Sequence, residues 1–286
     1  MRSAAILILT VACLLCAGLA AAAVNVAATI FPLAGIAADI GGDKVSVTTI
    51  IPAGSDPHEF EITPSSARAI EGANLVLLVA KTFDGWAIRD GGSRSAAAYI
   101  EFQQIFRDSL VKVGSSVNPH FWLDPLYARQ MGVVIGRELS RLDPSNRPYY
   151  ETRTEAFVSR IDSLHASAKT RLAGSGFNDF VSFHPSWIYF ARRYGLVDHC
   201  SIERSCDEEP SARWIGQVVK TMKQNHIRFI LAEELSNMAL ARVIAEDTGA
   251  EVVVLDPLGG KGRLGRDSYF ALIDYDVSRL EEAARQ

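Results

Sequence analysis

Residues 143–174 read DPSNRPYYETRTEAFVSRIDSLHASAKTRLAG, and this stretch divides the chain into two parts. Its apolar residues recur at spacings of three and four: Tyr150, Phe157, Val158, Ile161, Leu164, Ala168 and Leu172. That spacing places them on one helix face and predicts a single long amphipathic helix, with Asp143 at its start and Gly174 at its end. We therefore expect a first lobe over residues 24–143, a linking helix over 144–174 and a second lobe over 175–286.

On both sides of the predicted helix, short apolar strands alternate with helices. Before it, the pattern predicts strands at 24–30, 45–51 and 75–80 and helices at 33–40, 64–71 and 124–142. After it, the pattern predicts strands at 180–183, 227–232 and 251–255 and helices at 187–194, 210–224 and 237–248. Such alternation is typical of a mostly parallel sheet covered by helices. The predicted fold class is α/β, with two lobes joined by one long rigid helix and a ligand cleft at the carboxyl ends of the strands.

The composition limits the classes of partner. The chain has 286 residues, of which 48% are apolar, so it can bury a large core. Its 29 Lys and Arg residues against 33 Asp and Glu residues give a formal net charge of -4. A protein that neutralises a phosphate backbone needs a basic excess, so we expect no nucleic-acid partner.

The first 23 residues are typical of a secretory signal peptide. Arg2 supplies a positive charge, residues 4–19 are almost wholly apolar, and residues 20–23 are small alanines suited to signal peptidase. We predict cleavage after this run and a periplasmic or otherwise extracytoplasmic location. A transmembrane anchor is the alternative interpretation. A lipid anchor at Cys13 is disfavoured, because Thr10 stands where lipoprotein signals usually carry an aliphatic residue.

Two cysteines remain once this leader is removed. Cys200 and Cys206 would then lie in an oxidising compartment, which favours a disulfide between them. Only five residues separate the two cysteines, so the predicted bond would close one short loop.

Three histidines share a sequence context that suggests a metal site. His58, His120 and His184 each lie beside a proline where a predicted strand gives way to a loop or helix, and Asp256 follows the strand 251–255 in the same way. Three imidazoles and one carboxylate form a plausible tetrahedral zinc site. Each histidine taken alone is better explained as an ordinary loop or core residue, and none of the compact local zinc motifs is present.

Several segments, in order, resemble one known family. They are residues 29–33 (TIFPL), 41–45 (GGDKV), 52–63 (PAGSDPHEFEIT), 120–125 (HFWLDP), 189–196 (YFARRYGL) and 255–259 (LDPLG). In these segments the chain resembles the metal-binding receptors of ABC importers, the zinc and manganese branch of the periplasmic solute-binding proteins. The resemblance covers essentially the whole chain after the leader and implies the same two-lobed fold.

The resemblance also implies a ligand set and a function. It places the metal ligands at His58, His120, His184 and Asp256, with Glu59 and Glu233 as alternative fourth ligands. Zinc receptors resemble one another in carrying His at the third position, where manganese receptors carry Glu. The chain is therefore expected to be a monomeric, non-enzymatic receptor that captures Zn²⁺ and delivers it to a membrane permease driven by a cytoplasmic ATPase.

Other functions remain open at this point. The chain could be a manganese receptor of the same family or a metal-independent adhesin. It could also be a secreted zinc hydrolase, in which three histidines hold the metal, water takes the fourth position and Glu59 acts as general base.

Overall fold

The long helix lies between two sets of alternating strands and helices. The computed structural model describes residues 23–88, 97–114, 116–204 and 209–285. The first set is β1 (Val24–Ala28), α1 (Phe31–Gly41), β2 (Val45–Thr49), α2 (Pro64–Glu71), β3 (Leu75–Leu78), α3 (Lys81–Asp84), β4 (Ala98–Glu101), α4 (Phe102–Phe106), β5 (Lys112–Val113), β6 (Ser116–Val117) and α5 (Pro125–Leu142). The long helix α6 (Arg147–Ser175) precedes β7 (Asp179–Ser182), α7 (Ile188–Tyr194), β8 (Val197–Ser201), α8 (Ala212–Gln224), β9 (Phe229–Glu233), α9 (Met238–Thr248), β10 (Glu251–Leu255) and α10 (Tyr269–Ala284).

Each lobe is built on a parallel sheet of four strands. The strand order is β2-β1-β3-β4 in the first lobe and β10-β9-β7-β8 in the second. Strand β1 pairs with β2 from Val24 opposite Val45, and β10 pairs with β9 from Glu251 opposite Phe229. Parallel strands align their carboxyl ends at one edge of a sheet. The predicted α/β class with two lobes is confirmed.

The helices that flank the lobe junction begin and end as their local sequence predicts. Helix α5 starts at Pro125, and the side chain of Asp124 caps it by accepting a hydrogen bond from the N–H of Leu126 at 2.9 Å. Helix α6 ends at Ser175, one residue beyond the prediction, because Gly176 takes the left-handed conformation at φ 82°. The buried residues of α6 all belong to the predicted stripe: Tyr150, Phe157, Ile161, Ala168 and Leu172.

Helix α6 is packed along both lobes. On the first lobe, Arg153 donates to the carbonyl of Asp39 at 2.8 Å. On the second lobe, Arg171 donates to the carboxylate of Glu281 at 2.9 Å. One hydrophobic cluster also runs from β1 through α5 and α6 to α10. The two lobes therefore share a core along this helix.

The predicted elements differ from the observed ones mainly at strand ends. Strand β2 stops at Thr49, two residues before the prediction, although Ile50 still donates to the carbonyl of Ala28 at 2.8 Å. The apolar run continues there as buried loop, which periodicity does not separate from strand. Strands β4 and β8 and helix α10 were not predicted. Strand β8 is half-buried and reads VDHCS, so it lacks the apolar run of an interior strand.

Two predictions fall wholly or partly outside the described residues. Of the leader, only Ala23 is described, so the signal peptide and its cleavage remain predictions. Cys200, in β8, carries a free thiol, whereas Cys206 lies outside the described residues, so the disulfide is not shown. Across the described ranges, no helix combines the length and apolar character needed to cross a bilayer.

Candidate metal centre

The first predicted ligand, His58, lies in the loop between β2 and α2. Its backbone N–H donates to the carboxylate of Asp56 at 2.8 Å, a local turn that Asp-Pro-His favours. The imidazole meets the ring of Phe83 edge to face, with the ring centroids 5.0 Å apart. His58 is nine residues beyond the end of β2, so this loop, more than the strand end itself, positions the ring.

The second predicted ligand, His120, opens a short 3₁₀ turn directly before α5. It follows the antiparallel hairpin β5-β6 and not a strand of the parallel sheet. The side-chain oxygen of Asn118 accepts from the backbone N–H of His120 at 3.0 Å and lies 3.1 Å from its Nδ1. His120 is buried, at 5% exposure.

The third predicted ligand, His184, follows β7 of the second lobe, as predicted. It begins the loop to α7, and its carbonyl accepts from the N–H of Ser186 at 2.8 Å. Its Nδ1 lies 3.9 Å from the Glu203 carboxylate, beyond hydrogen-bond distance.

The three histidines converge from far-apart positions in the chain. Their ring centroids lie 5.2 to 5.5 Å apart. One nitrogen from each ring lies within 4.8 Å of the other two, and no acidic or cysteine side chain joins this group in the part of the chain that the structure describes. Nitrogens bound tetrahedrally to one zinc are roughly 3.4 Å apart, given Zn–N distances of about 2.0–2.1 Å. The nitrogens therefore need to approach one another by at most about 1.4 Å to share one ion.

Burial keeps two of these rings in the form that binds metal. The apolar surroundings lower the pKa of His120 well below its ordinary value, and the neighbouring His184 and His58 lower it further. Burial lowers the pKa of His184 to about 3, again assisted by His58. Both imidazoles are therefore neutral at pH values where a free histidine is protonated, and a neutral imidazole is the ligand form.

Asp256 lies where predicted, directly after β10, but its carboxylate is already paired. One oxygen accepts from the backbone N–H groups of Leu258 and Gly259, at 3.0 and 2.9 Å. The other accepts from Arg266 at 2.9 Å and from Arg263 at 3.4 Å. Asp256 is therefore held beside the histidines by two guanidiniums and is not part of the converging group.

The alternative ligands Glu59 and Glu233 line the same cavity as the histidines, of about 670 Å³. Glu59 is exposed at the rim. Glu233 ends β9, and burial, with Asp56 and Glu203 nearby, raises the pKa of its carboxyl to about 7. The structure places neither carboxylate in the converging group of donors.

The cavity is strongly acidic, which favours a cation. Among the described residues, its lining carries seven acidic side chains against one arginine, Arg263: Asp56, Glu59, Glu203, Glu209, Glu233, Glu234 and Asp256. Clefts lined by charges of one sign concentrate ions of the opposite sign.

Sequence reasoning did not find the arginines that hold Asp256. Arg263 and Arg266 also bind Glu234, at 2.6 and 2.5 Å. They lie in the glycine-rich segment after β10, where no periodicity or motif marks them. Sequence reasoning also gave no role to Asn118, although its amide contacts His120 directly.

Known proteins resemble this chain along nearly its whole length. A family model described as zinc-uptake complex component A, periplasmic (ZnuA), matches residues 26–283. The high-affinity zinc uptake system protein ZnuA of Bacillus subtilis (strain 168) is 24% identical over 272 residues, covering 90% of this chain and 85% of that protein. The manganese ABC transporter substrate-binding lipoprotein PsaA of Streptococcus anginosus is 24% identical over 288 residues, covering 90% of this chain and 88% of that protein.

Solved structures agree with this assignment. The laminin binding protein (Lmb) of Streptococcus agalactiae, described as bifunctional with adhesin and metal transporting activity, superposes with a TM-score of 0.83 at 28% identity, covering 92% of this chain and 99% of that one. The zinc and manganese relatives are transport receptors and not enzymes, which argues against the secreted zinc hydrolase. PsaA is named a lipoprotein, so the comparisons give no support to the expected absence of a lipid anchor. The chain belongs to the ZnuA family and is a metal-binding, extracytoplasmic substrate-binding receptor of the ABC importer type.

Proposed function

We propose that this receptor captures Zn²⁺ and delivers it to the permease of an ABC importer driven by a cytoplasmic ATPase. The observation that carries the proposal is the convergence of His58, His120 and His184, with donor nitrogens within 4.8 Å of one another. Three imidazoles are a typical donor set for zinc. The acidic cavity around them would raise the local concentration of the cation before it is bound.

We propose zinc in preference to manganese because the converging donors are histidine nitrogens, whereas the predicted carboxylate ligand is already ion-paired. Manganese prefers oxygen ligands, and the predicted carboxylate ligand, Asp256, already accepts hydrogen bonds from Arg266 and Arg263. Ligation by Asp256 would require its carboxylate to leave these guanidiniums. We propose that His58, His120 and His184 hold the ion and that Asp256 completes the site, with Glu59 and Glu233 as the alternative carboxylates.

Manganese is the competing cargo because oxygen donors surround the histidines. If Asp256 and Glu233 both turned toward the ion, two carboxylates would join the three imidazoles, a mixed set that manganese accepts. Such a set would make the protein a manganese receptor with the same fold.

A titration against both metals tests the cargo. The protein, purified from its native compartment without added metal, is first analysed for bound elements. It is then stripped with a chelator and titrated with zinc and manganese in competition with a chelating dye. We expect one zinc per chain and a Kd for zinc at least about 100-fold lower than for manganese, as the Irving–Williams order and the nitrogen donors favour. A Kd for manganese as low as the Kd for zinc, or manganese bound to the purified protein, would identify manganese as the cargo.

A further inference from the structure

Asn118 is a buried residue that contacts the second histidine and the loop of the third. It is 4% exposed and lies in the first lobe, two residues before His120. Its side-chain oxygen accepts from the backbone N–H of His120 at 3.0 Å. Its side-chain nitrogen donates to the carbonyl of Pro185 in the second lobe at 2.7 Å, and Pro185 directly follows His184.

These two contacts determine which way the amide of Asn118 points. A backbone N–H can only donate, so the atom facing His120 must be the amide oxygen. A backbone carbonyl can only accept, so the atom facing Pro185 must be the amide NH₂. The hydrogen-bond network alone therefore fixes the orientation of the amide, which electron density rarely distinguishes.

The orientation of the amide in turn selects the tautomer of His120. Nδ1 of the ring lies 3.1 Å from the same amide oxygen, which can only accept. Nδ1 must therefore carry the proton of the neutral ring, and Nε2 must carry the lone pair. The ring's other described neighbours include Trp122 and Phe83, at centroid distances of 5.0 and 6.5 Å, whose aromatic carbons cannot replace that acceptor.

The second lobe also fixes the backbone of Asn118. The hydroxyl of Tyr189, on α7, donates to the carbonyl of Asn118 at 2.8 Å and accepts from the N–H of Val111 at 2.9 Å. Asn118 is thus held by its amide and by its backbone to the lobe that carries His184. Its position is set by both lobes, as is the position of the ring that it contacts.

We propose that Asn118 is a positioning residue of the metal centre: its amide oxygen fixes His120 as the Nδ1–H tautomer and so presents Nε2 to the metal. The inference rests on the proposed function, because it concerns the same three-histidine site. Partners that orient a ligating histidine through its second nitrogen are a general feature of metal centres, and their loss weakens metal affinity by about 10–100-fold.

The tautomer is measured directly in the metal-free protein. Two-dimensional ¹H–¹⁵N spectra of ¹⁵N-histidine-labelled protein distinguish a protonated Nδ1 from a protonated Nε2. We expect His120 to be the Nδ1–H form in the wild type and in Asn118→Asp, whose carboxylate also accepts. In Asn118→Leu, which has no acceptor, we expect the Nε2–H form or a mixture. An Nε2–H ring in the metal-free wild type would overturn the inference whatever the variants do.

Zinc affinity of the same proteins tests whether the contact matters for binding. We expect Asn118→Leu to weaken zinc binding by about 10–100-fold and Asn118→Asp to stay within about threefold of the wild type, since the acceptor is retained. Asn178→Leu is the matched control, because Asn178 is exposed and its amide donates locally, to the carbonyl of Gly176 at 3.3 Å.

The outcomes separate this inference from the proposed function. If Asn118→Asp loses as much affinity as Asn118→Leu, the contact with Pro185 and not the tautomer is what the site needs, and the inference is wrong. If Asn118→Leu does not fold, the inference is still tested by the His120 tautomer in the wild-type spectra and by the zinc affinity of Asn118→Asp. If the wild type binds no zinc while His120 is the Nδ1–H form, the cargo assignment fails and the positioning of His120 stands.

Discussion

The four predicted ligands differ in what their side chains contact before a metal arrives. His120 and His184 are buried and neutral, and their rings lie 5.2 Å apart between centroids. Asp256 accepts hydrogen bonds from two guanidiniums and two backbone N–H groups. Binding by a carboxylate that must first break ion pairs yields less net free energy than binding by a ready imidazole. The histidines should therefore contribute more to zinc affinity than the aspartate.

Alanine substitutions should rank the ligands in that order. We expect His184→Ala to lower zinc affinity more than about 100-fold, beyond the loss typical of outer partners, and Asp256→Ala to lower it about tenfold. Competition titration with a chelating dye measures both. His226→Asn is the control, because His226 is exposed and its φ of 53° suits asparagine. If Asp256→Ala lowers zinc affinity as much as His184→Ala does, the ion pairs of Asp256 with the two arginines do not weaken its contribution to zinc binding.

Asp84, a buried carboxyl in the first lobe, should make the free energy of unfolding depend on pH. It accepts from the hydroxyl of Thr29 at 2.6 Å and from the N–H groups of Val79 and Ala80 at 2.8 and 2.9 Å. These contacts favour the carboxylate, but burial outweighs them and raises the pKa of Asp84 from 3.8 to about 6. Between these pH values the folded chain keeps a proton that the unfolded chain loses. The contribution of Asp84 to stability therefore decreases as pH rises through this window.

The comparison of the wild type with Asp84→Asn isolates this effect. Asparagine has about the same shape and does not titrate. We expect the free energy of unfolding of the wild type, minus that of Asp84→Asn, to fall by about 2 kcal/mol between pH 4 and pH 7, with most of the change below pH 6. Urea unfolding of the metal-free proteins at several pH values measures it. A difference that is constant across the range would mean that Asp84 is ionised throughout.

Among the elements, the close packing of α5 on α6 explains two glycines in the middle of α5. A Cβ on Gly132 would lie 2.5 Å from the ring of Phe157, and a Cβ on Gly136 would lie 2.1 Å from the hydroxyl of Thr154. Glycine disfavours a helix by roughly 1 kcal/mol relative to alanine. The absence of side chains at these positions lets the two helices approach, and Phe157 then packs into the shared core, at 1% exposure.

Replacing Gly132 by alanine and replacing Gly174 by alanine should have opposite effects on stability. We expect Gly132→Ala to lower the free energy of unfolding by about 1–2 kcal/mol, since overpacking against a buried ring exceeds the gain in helix propensity. We expect Gly174→Ala to raise it by up to about 1 kcal/mol, because Gly174 lies in the last turn of α6 with open space around its Cβ position. Urea unfolding at one pH compares them. If Gly132→Ala is as stable as the wild type, α5 and α6 can move apart with little loss of free energy.

Across the whole molecule, the two lobes are tied together around the three converging histidines. Trp122 donates to the carbonyl of Pro257 at 2.8 Å, and Tyr269 donates to the carbonyl of Trp122 at 2.8 Å. Arg193 on α7 binds the carboxylate of Asp124 at 2.8 Å. The segment that carries His120 is thus bonded to the second lobe on several sides. With the core shared along α6, neither lobe is an independent folding unit.

The metal-free protein should accordingly unfold in one transition. We expect a single calorimetric peak whose van't Hoff and calorimetric enthalpies agree. Zinc at about 100 times its Kd should stabilise the whole protein by about 2.7 kcal/mol and raise the Tm of that one peak. Manganese at the same concentration is the control and should raise it less. Two peaks, with only one responding to zinc, would contradict the shared core and would place the metal within a single lobe.

Local sequence predicted most of the helices and strands and the three histidines that lie together. The stripe from Tyr150 to Leu172 predicts α6, and Asp124 and Pro125 predict the start of α5, because helix periodicity and capping depend on neighbouring residues. The expectation that His58, His120 and His184 meet rests on their shared position beside a proline at the end of a predicted element and on the family resemblance, and the structure brings the three rings together. The family resemblance added the expectation that these histidines and Asp256 bind the metal, and the family assignment confirms the fold that both imply.

Tertiary structure alone decided how those ligands are held. Asp256 pairs with Arg263 and Arg266 because a glycine-rich segment folds back over the end of β10, and no local pattern encodes that path. Asn118 meets Pro185, 67 positions away, only because the lobes are docked along α6. Local sequence specifies backbone conformation over a few residues, whereas charge pairing and amide orientation depend on groups that folding brings together from distant positions.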